Sequence, residues 1–114
     1  MRDVFWVGRS KKDLSEMSHF IKNSFGYQLA RVQMGKTPHD MKMLPQLGRG
    51  VCELRESFDA NAYRLMYVAF LKKGIYVLDV FMKKSKSGIG LPKPDVQRIQ
   101  ARLKQALLMD EEKQ

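Results

Sequence analysis

The sequence predicts a single α+β domain, in which an N-terminal strand and a helical hairpin pack on an antiparallel β-meander sheet, followed by a C-terminal helix. Apolar residues recur at helical spacing in two segments, and three strand-like runs follow one another with only short polar links between them. The length of 114 residues agrees with this class, because domains of about 100–150 residues are the commonest size.

The first predicted strand is the apolar run at residues 4–7, which Gly8 ends. Ser10, followed by Asp13, resembles a capping box and predicts the start of a helix. Apolar residues at spacings of three and four then define one buried face of this helix. They are Leu14, Met17, Ile21 and Phe25.

Two glycines divide the next region. Gly26 predicts a break between this helix and a second one over residues 27–34, and Gly35 predicts the end of the second helix. Residues 36–50 contain two prolines and isolated apolar residues, so we expect a loop there.

The centre of the chain predicts three consecutive strands. Residues 51–58 alternate between apolar and polar, and residues 63–71 and 75–82 are rich in aromatic and aliphatic side chains. The links at residues 59–62 and 72–74 are short and polar, which favours an antiparallel meander.

The C-terminal region predicts a second loop and a last helix. Residues 85–94 contain two glycines and two prolines, and Pro94 with Asp95 is typical of a helix start. The apolar face of this helix consists of Val96, Ile99, Leu103 and Leu107. We expect residues 1–109 to form the domain and residues 110–114 to form a charged, frayed tail.

The charge of the chain points to a polyanionic partner. Lys and Arg number 21 against 12 Asp and Glu, a formal charge of +9, and residues 72–104 alone carry a net charge of +7. Uncompensated positive charge of this size favours phosphate, through its field and through counterion release.

Several classes of protein do not fit the composition. The longest apolar run, residues 65–71, is far shorter than the roughly 20 residues of a membrane-spanning helix, and the N-terminus lacks the apolar segment of a signal peptide. Cys52 is the single cysteine, which excludes an internal disulfide and a cysteine-based zinc site. We expect a cytoplasmic protein with no cofactor, no metal and no membrane partner.

Strand alternation gathers charged residues on one face of the predicted sheet. If Leu54 and Leu78 face the helices, three charged side chains share the opposite, more open face. They are Arg55, Asp79 and Lys83. Arg64 joins them if Leu65 points inward.

Motifs in the meander and beyond it resemble a known toxin family. They are GVCELR at residues 50–55, YRLMYVAF at 63–70, IYVLDVFMKK at 75–84 and SKSGIGLPKP at 85–94. Their order and spacing, and the Lys-Lys-Ser segment that leads into a basic helix, resemble the HigB-like branch of the RelE/ParE toxin superfamily.

The resemblance implies a RelE-like fold and a bacterial toxin of a type II toxin–antitoxin system. In this branch the toxin is commonly an mRNA endonuclease that works in the ribosomal A site without a metal. The partners implied are the ribosome, mRNA and a cognate antitoxin of the helix-turn-helix type.

The resemblance also implies the site residues. Arg55 and Arg64 match the arginines that stabilise the scissile phosphate, a task that suits the forked guanidinium. Lys83 or Lys84 matches the basic residue that closes the last strand, and Lys83 is a candidate acid or base. Asp79 stands where relatives often have histidine and is a candidate base. The residues expected to bind the RNA backbone are Lys84, Lys86, Lys93, Arg98 and Arg102.

Two alternative functions remain open at this point. Asp79 in place of the usual histidine favours a non-enzymatic, ParE-like inhibitor of a protein target such as DNA gyrase, and the charge alone fits a plain nucleic-acid-binding domain. His39, in the loop, is a further candidate for RNA contact or proton transfer. Two roles remain open for three tyrosines: stacking on a base, or packing in the core with the hydroxyl as a polar tip. They are Tyr63, Tyr67 and Tyr76.

Overall fold

The computed structural model describes residues 1–83 and 90–112, which form five strands and three α-helices. The strands are β1 (Asp3–Trp6), β2 (Met41–Met43), β3 (Val51–Phe58), β4 (Asn61–Val68) and β5 (Gly74–Lys83). The helices are α1 (Ser10–Ser15), α2 (His19–Gln33) and α3 (Lys93–Glu112), and a short 3₁₀ turn spans Pro45–Leu47.

The strands form one sheet in the order β1-β5-β4-β3-β2. β3, β4 and β5 are the predicted antiparallel meander, β1 pairs in parallel with β5, and β2 pairs antiparallel with β3. The predicted α+β class, with an N-terminal strand, two helices, a meander and a C-terminal helix, is confirmed.

Each face of the sheet has its own apolar core. On one face α1 and α2 cover the sheet, and the fully buried residues there include Ile21, Phe25, Leu54, Leu65 and Ile75. On the other face α3 packs against the sheet, and the fully buried residues there include Val7, Val51, Met66, Leu78 and Ile99. The face predicted to be open is therefore covered by α3 over part of its area.

The predicted helix break at Gly26 is wrong, because Gly26 lies within α2. The chain breaks earlier, at residues 16–18, where the hydroxyl of Ser18 accepts the backbone N–H of Ile21 at 3.3 Å and caps the new helix. A glycine inside a helix costs only about 1 kcal/mol relative to alanine, and the surrounding apolar contacts outweigh that. Ser10 does not cap α1, since its hydroxyl donates to the carbonyl of Val77 at 3.1 Å.

The predicted loop at residues 36–50 contains regular structure that the sequence did not indicate. β2 lies there, with Met41 opposite Leu54 and Met43 opposite Cys52. A strand of three residues is too short to show an alternating pattern, so only its partner reveals it.

A β-bulge in β5 changes the faces expected from strict alternation. Tyr67 pairs with Val77 and Met66 pairs with Asp79, so Leu78 has no partner in the register. Leu78 consequently packs under α3 with Tyr76, while Val80 packs under α2. Leu78 therefore does not share a face with Leu54, contrary to expectation.

The predicted charged tail from residue 110 is also wrong at its start. α3 continues to Glu112, and Asp110 is 7% exposed. Its carboxylate accepts the backbone N–H groups of Lys72 and Lys73, at 3.1 and 2.8 Å, and the hydroxyl of Tyr76 at 3.1 Å. These bonds tie the end of α3 to the turn between β4 and β5.

Candidate functional site

Arg55 on β3 and Arg64 on β4 lie directly opposite each other in the sheet. Directly opposed residues have Cβ atoms about 5 Å apart, and like charges there repel. Each guanidinium has a carboxylate partner that offsets this. Arg55 donates to Asp40 Oδ1 from Nε at 3.0 Å and from Nη2 at 2.7 Å, and Arg64 Nε lies 3.4 Å from Glu53 Oε2.

The two ion pairs differ in exposure. The side chains of Arg55 and Asp40 are 40% and 57% exposed, whereas those of Arg64 and Glu53 are 13% and 9% exposed. An incoming anion therefore meets Arg55 first and reaches Arg64 at the base of the site.

A cleft of about 440 Å³ opens on these two arginines. Its residues are Lys42, Leu44, Gln46, Leu47, Glu53, Arg55, Arg64, Lys83, Gly90, Leu91 and Val96. The lining combines cations with aliphatic side chains, and Glu53 supplies the one carboxylate among its described residues. We call this the phosphate cleft, after the ligand that we propose for it.

A second cleft, of about 780 Å³, shares Arg55 and Arg64 with the first. It lies against α2 and the loop that precedes β2, and its remaining residues are Ser24, Tyr27, Gln28, His39, Asp40, Glu56, Ser57 and Ala62. We call this the α2 cleft. The paired arginines thus stand where two open spaces meet.

Asp79 lies on the predicted face but in a different environment. Its side chain is 2% exposed, and both oxygens are occupied by guanidiniums of α3: Arg98 Nη2 is 2.8 Å from Oδ2, and Arg102 Nη1 is 2.9 Å from Oδ1. Burial favours the neutral form of Arg98, but the hydrogen bonds to Asp79 and Asp95 outweigh it and raise the pKa of Arg98. We call Asp79, Arg98 and Arg102 the α3 clamp.

Phe81 separates the α3 clamp from the arginine pair. It lies opposite Arg64 in the sheet, and its ring centroid is 5.9 Å from the guanidinium carbon of Arg98. The cleft beside the clamp, about 500 Å³, shares none of its described lining residues with the phosphate cleft. The structure therefore brings Arg55, Arg64 and Lys83 together and leaves Asp79 apart.

The residues expected to bind RNA backbone have different surroundings. Lys93 is exposed at the start of α3, whereas Arg98 and Arg102 are 36% and 15% exposed in the side chain and already paired with Asp79. Lys84 and Lys86 lie outside the described residues.

Sequence reasoning missed Lys42 and Tyr27 as residues of this region. Lys42 was hidden in a stretch interpreted as a loop. Tyr27 carried a weak signal, since it lies off the apolar face of its helix. Tyr63, Tyr67 and Tyr76 are half-buried or buried, in agreement with core packing.

Burial also alters the acidity of groups in the sheet. It raises the pKa of the Cys52 thiol, which the hydrogen bond with Tyr67 only partly offsets, and raises the pKa of Tyr67 well above its ordinary value. Both groups stay neutral at physiological pH and act as core side chains.

These features define a small basic α+β protein with paired arginines on an antiparallel sheet. The sequence model of the family described as "Phage derived protein Gp49-like (DUF891)" matches residues 12–104. The chain belongs to this phage-derived Gp49-like family, which is related to the toxins of toxin–antitoxin systems. Searches of curated proteins and of solved structures returned no match.

Two further properties concern the described residues only. No helix in residues 1–83 and 90–112 is long and apolar enough to cross a bilayer. Within the same ranges, His, Cys, Asp and Glu side chains do not gather in groups of three that could hold a metal ion.

Proposed function

We propose that the protein is the toxin of a type II toxin–antitoxin pair, of the HigB-like type, and that it cleaves mRNA on the ribosome in the cytoplasm. Its activity is held in check by a cognate antitoxin of the helix-turn-helix type. The observation that carries the proposal is the arginine pair, Arg55 and Arg64, which lines a cleft that also contains Lys42 and Lys83.

The arginine pair suits a phosphate better than it suits its present partners. An exposed ion pair such as Arg55 with Asp40 contributes at most about 1 kcal/mol, so a phosphate oxygen can displace the carboxylate. A guanidinium grips two phosphate oxygens at once and stays charged. Two of them facing each other can neutralise the extra charge of a pentavalent phosphate.

The cleavage step uses groups of the phosphate cleft. The 2′-oxygen of the RNA attacks the phosphorus, the bond to the 5′-oxygen breaks, and the products are a 2′,3′-cyclic phosphate and a 5′-hydroxyl. We assign the 2′-hydroxyl proton to the carboxylate of Glu53 and the proton that the 5′-oxygen gains to the ammonium of Lys83. Asp79 acts in this scheme as a positioning residue that holds α3 through Arg98 and Arg102.

Lys93, exposed at the start of α3, extends the RNA contact beyond the cleft. Lys84 and Lys86 follow β5 in the sequence, and each phosphate that these lysines neutralise steepens the salt dependence of binding. An affinity for single-stranded RNA that stays constant from low to moderate salt would exclude this contact.

One observation favours the second candidate, a ParE-like inhibitor of a protein target such as DNA gyrase. The position where relatives often carry a histidine is occupied here by Asp79, which is buried and ion-paired. A protein that has lost its proton-transfer group at that position can act by binding alone.

Expression of the unpaired protein in bacteria distinguishes the two candidates. The endonuclease proposal predicts growth arrest with cleaved mRNA and no DNA-damage response. Growth arrest with intact mRNA and induced DNA-damage genes would contradict the endonuclease proposal and support the inhibitor of a protein target. Normal growth with abundant folded protein would contradict both.

A further inference from the structure

The α2 cleft has no part in the phosphate chemistry proposed above, although it shares both arginines with the phosphate cleft. Its volume of about 780 Å³ lies in the range of ligand-binding sites. An RNA strand whose phosphate lies on Arg55 and Arg64 must place neighbouring nucleotides on either side of them. The α2 cleft is one of the two spaces available.

The cleft contains an aromatic ring that the protein core does not use. Tyr27 is 55% exposed, while the core face of α2 is formed by Ile21, Phe25 and Leu29. The Tyr27 ring lies 5.7 Å from the imidazole of His39, with an angle of 55° between the ring planes. A tilted contact of this kind leaves most of the tyrosine ring uncovered.

The loop that carries His39 is fixed on both sides. The backbone N–H of His39 donates to Gln28 Oε1 at 2.6 Å, and Gln28 is 8% exposed. On the other side, the backbone N–H of Arg55 donates to the carbonyl of Asp40 at 3.1 Å, in addition to the ion pair between their side chains. The backbone that carries His39 is thus held in place before any ligand arrives, which lowers the entropic cost of binding.

The remaining walls of the cleft are polar. The hydroxyl of Ser24 donates to the carboxylate of Glu56, and Ser57 follows on the same strand. Hydroxyls and carboxylates around an aromatic ring provide donors and acceptors for the edge of a base that stacks on that ring. Unpaired RNA bases are recognised by this combination of stacking and edge hydrogen bonds.

We propose that the α2 cleft binds an unpaired nucleobase of the RNA, with Tyr27 as the stacking surface and His39 as the second wall. The inference rests on the proposed RNA-cleaving function and adds to it a specificity site next to the scissile phosphate. The ligand is the base of a nucleotide adjacent to the one on Arg55 and Arg64.

The test measures whether the Tyr27 ring and one base of the RNA contribute to the same binding free energy. The probe is a short, 5′-labelled 2′-O-methyl oligouridylate, which the 2′-hydroxyl mechanism cannot cleave. A series of further probes has the same sequence, and each of them carries a single abasic nucleotide at a different position. Fluorescence anisotropy at low salt gives the affinity of the full chain and of Tyr27→Leu for every probe. Tyr27→Phe serves as the conservative variant.

A matched control lies in the turn that follows β4. Phe70 is 48% exposed and lies 5.5 Å from the guanidinium carbon of Arg49, so it is also an exposed ring beside a cation. Phe70→Leu should bind every probe as the wild type does.

The proposal predicts that one abasic position weakens wild-type binding by about tenfold, and that Tyr27→Leu weakens binding of the complete probe to a similar extent. The same abasic position should cost nothing further in Tyr27→Leu, and Tyr27→Phe should bind as the wild type does. Equal binding of all probes by the wild type and Tyr27→Leu would overturn the inference while leaving the proposed function intact.

Two other outcomes would also overturn the inference. If the wild type binds no probe even at low salt, the proposed RNA contact fails together with the base site. If Tyr27→Leu weakens the complex with the antitoxin but not with RNA, the cleft is a protein-docking surface.

Discussion

The arginine pair and the α3 clamp use the same chemistry on the same face of one sheet, yet they differ in the burial of their carboxylates and in the balance of charge. In the pair, Arg55 and Arg64 each hold a separate carboxylate and border open clefts. In the clamp, two arginines share one carboxylate that is 2% exposed beneath α3. The comparison teaches that a guanidinium with a carboxylate of its own, such as Arg55 with the exposed Asp40, is open to a ligand, whereas two guanidiniums that share one buried carboxylate are structural.

The largest effect is expected at the centre of the α3 clamp. Asp79→Ala leaves Arg98 and Arg102 without their shared partner, and breaking a buried ion pair costs about 3–5 kcal/mol. For a chain of this size we expect the melting temperature to fall by more than about 10 °C. Thermal unfolding followed by circular dichroism measures this, and a melting temperature within a degree or two of the wild type would show that the clamp is not structural.

Asp110 is a second buried carboxylate, and its hydrogen-bond partners do not include a guanidinium. It tests whether hydrogen bonds alone are sufficient for a buried carboxylate to stabilise the fold. Burial opposes the ionisation of Asp110, yet the backbone N–H groups of Lys73 and Lys72 and the hydroxyl of Tyr76 outweigh it and hold the pKa of Asp110 below its ordinary value. Burial, with the hydrogen bond to Asp110, raises the pKa of Tyr76 to about 12. Asp110→Ala should cost about 1–3 kcal/mol by leaving these donors unpaired.

The same group gives the protein an acid-sensitive component of stability. Because the folded-state pKa of Asp110 is depressed, its contribution is complete above the unfolded-state value of about 4 and is lost as the pH falls through the folded-state value. Urea unfolding at a series of pH values should show a loss below about pH 4 that is smaller in Asp110→Asn. Identical pH profiles for the two proteins would contradict the assignment.

The meander and the C-terminal helix could be predicted because their signals are local. β3 and β5 alternate or are continuously apolar, and the apolar spacing of α3 is regular. The α3 clamp also had a signal, since Asp95, Arg98 and Arg102 are three and four residues apart on one helix. The pairing of Arg98 and Arg102 with Asp79 could not be predicted, because the bulge at Leu78 and the docking of α3 depend on tertiary packing.

The candidate site could be predicted only in part for the same reason. Arg55 and Arg64 follow from strand pairing once the meander is known, whereas the approach of His39 to Tyr27 depends on the path of the loop before β2. The helix boundary predicted at Gly26 was wrong because the boundary depends on the cap at Ser18 and on the burial of Phe25.

The smallest effect on stability is expected at Arg55, the exposed member of the arginine pair. Arg55→Ala should change the free energy of unfolding by no more than about 1 kcal/mol. It should nevertheless weaken RNA binding and reduce the slope of log affinity against log salt by about one. An unchanged slope would place the phosphate elsewhere, and Arg49→Ala is a control for the loss of an exposed arginine outside the phosphate cleft.

The central claim is that Arg64 stabilises the scissile phosphate while the arginines of the clamp do not. The most direct measurement is the rate of mRNA cleavage on ribosomes for Arg64→Lys and Arg98→Lys, each compared at equal folded concentration. Lysine keeps the charge beside Glu53 but loses the forked grip, so Arg64→Lys should fold and cleave about 10²-fold more slowly, whereas Arg98→Lys should cleave at nearly the wild-type rate. Wild-type cleavage by Arg64→Lys, or an equal loss in both variants, would contradict the account.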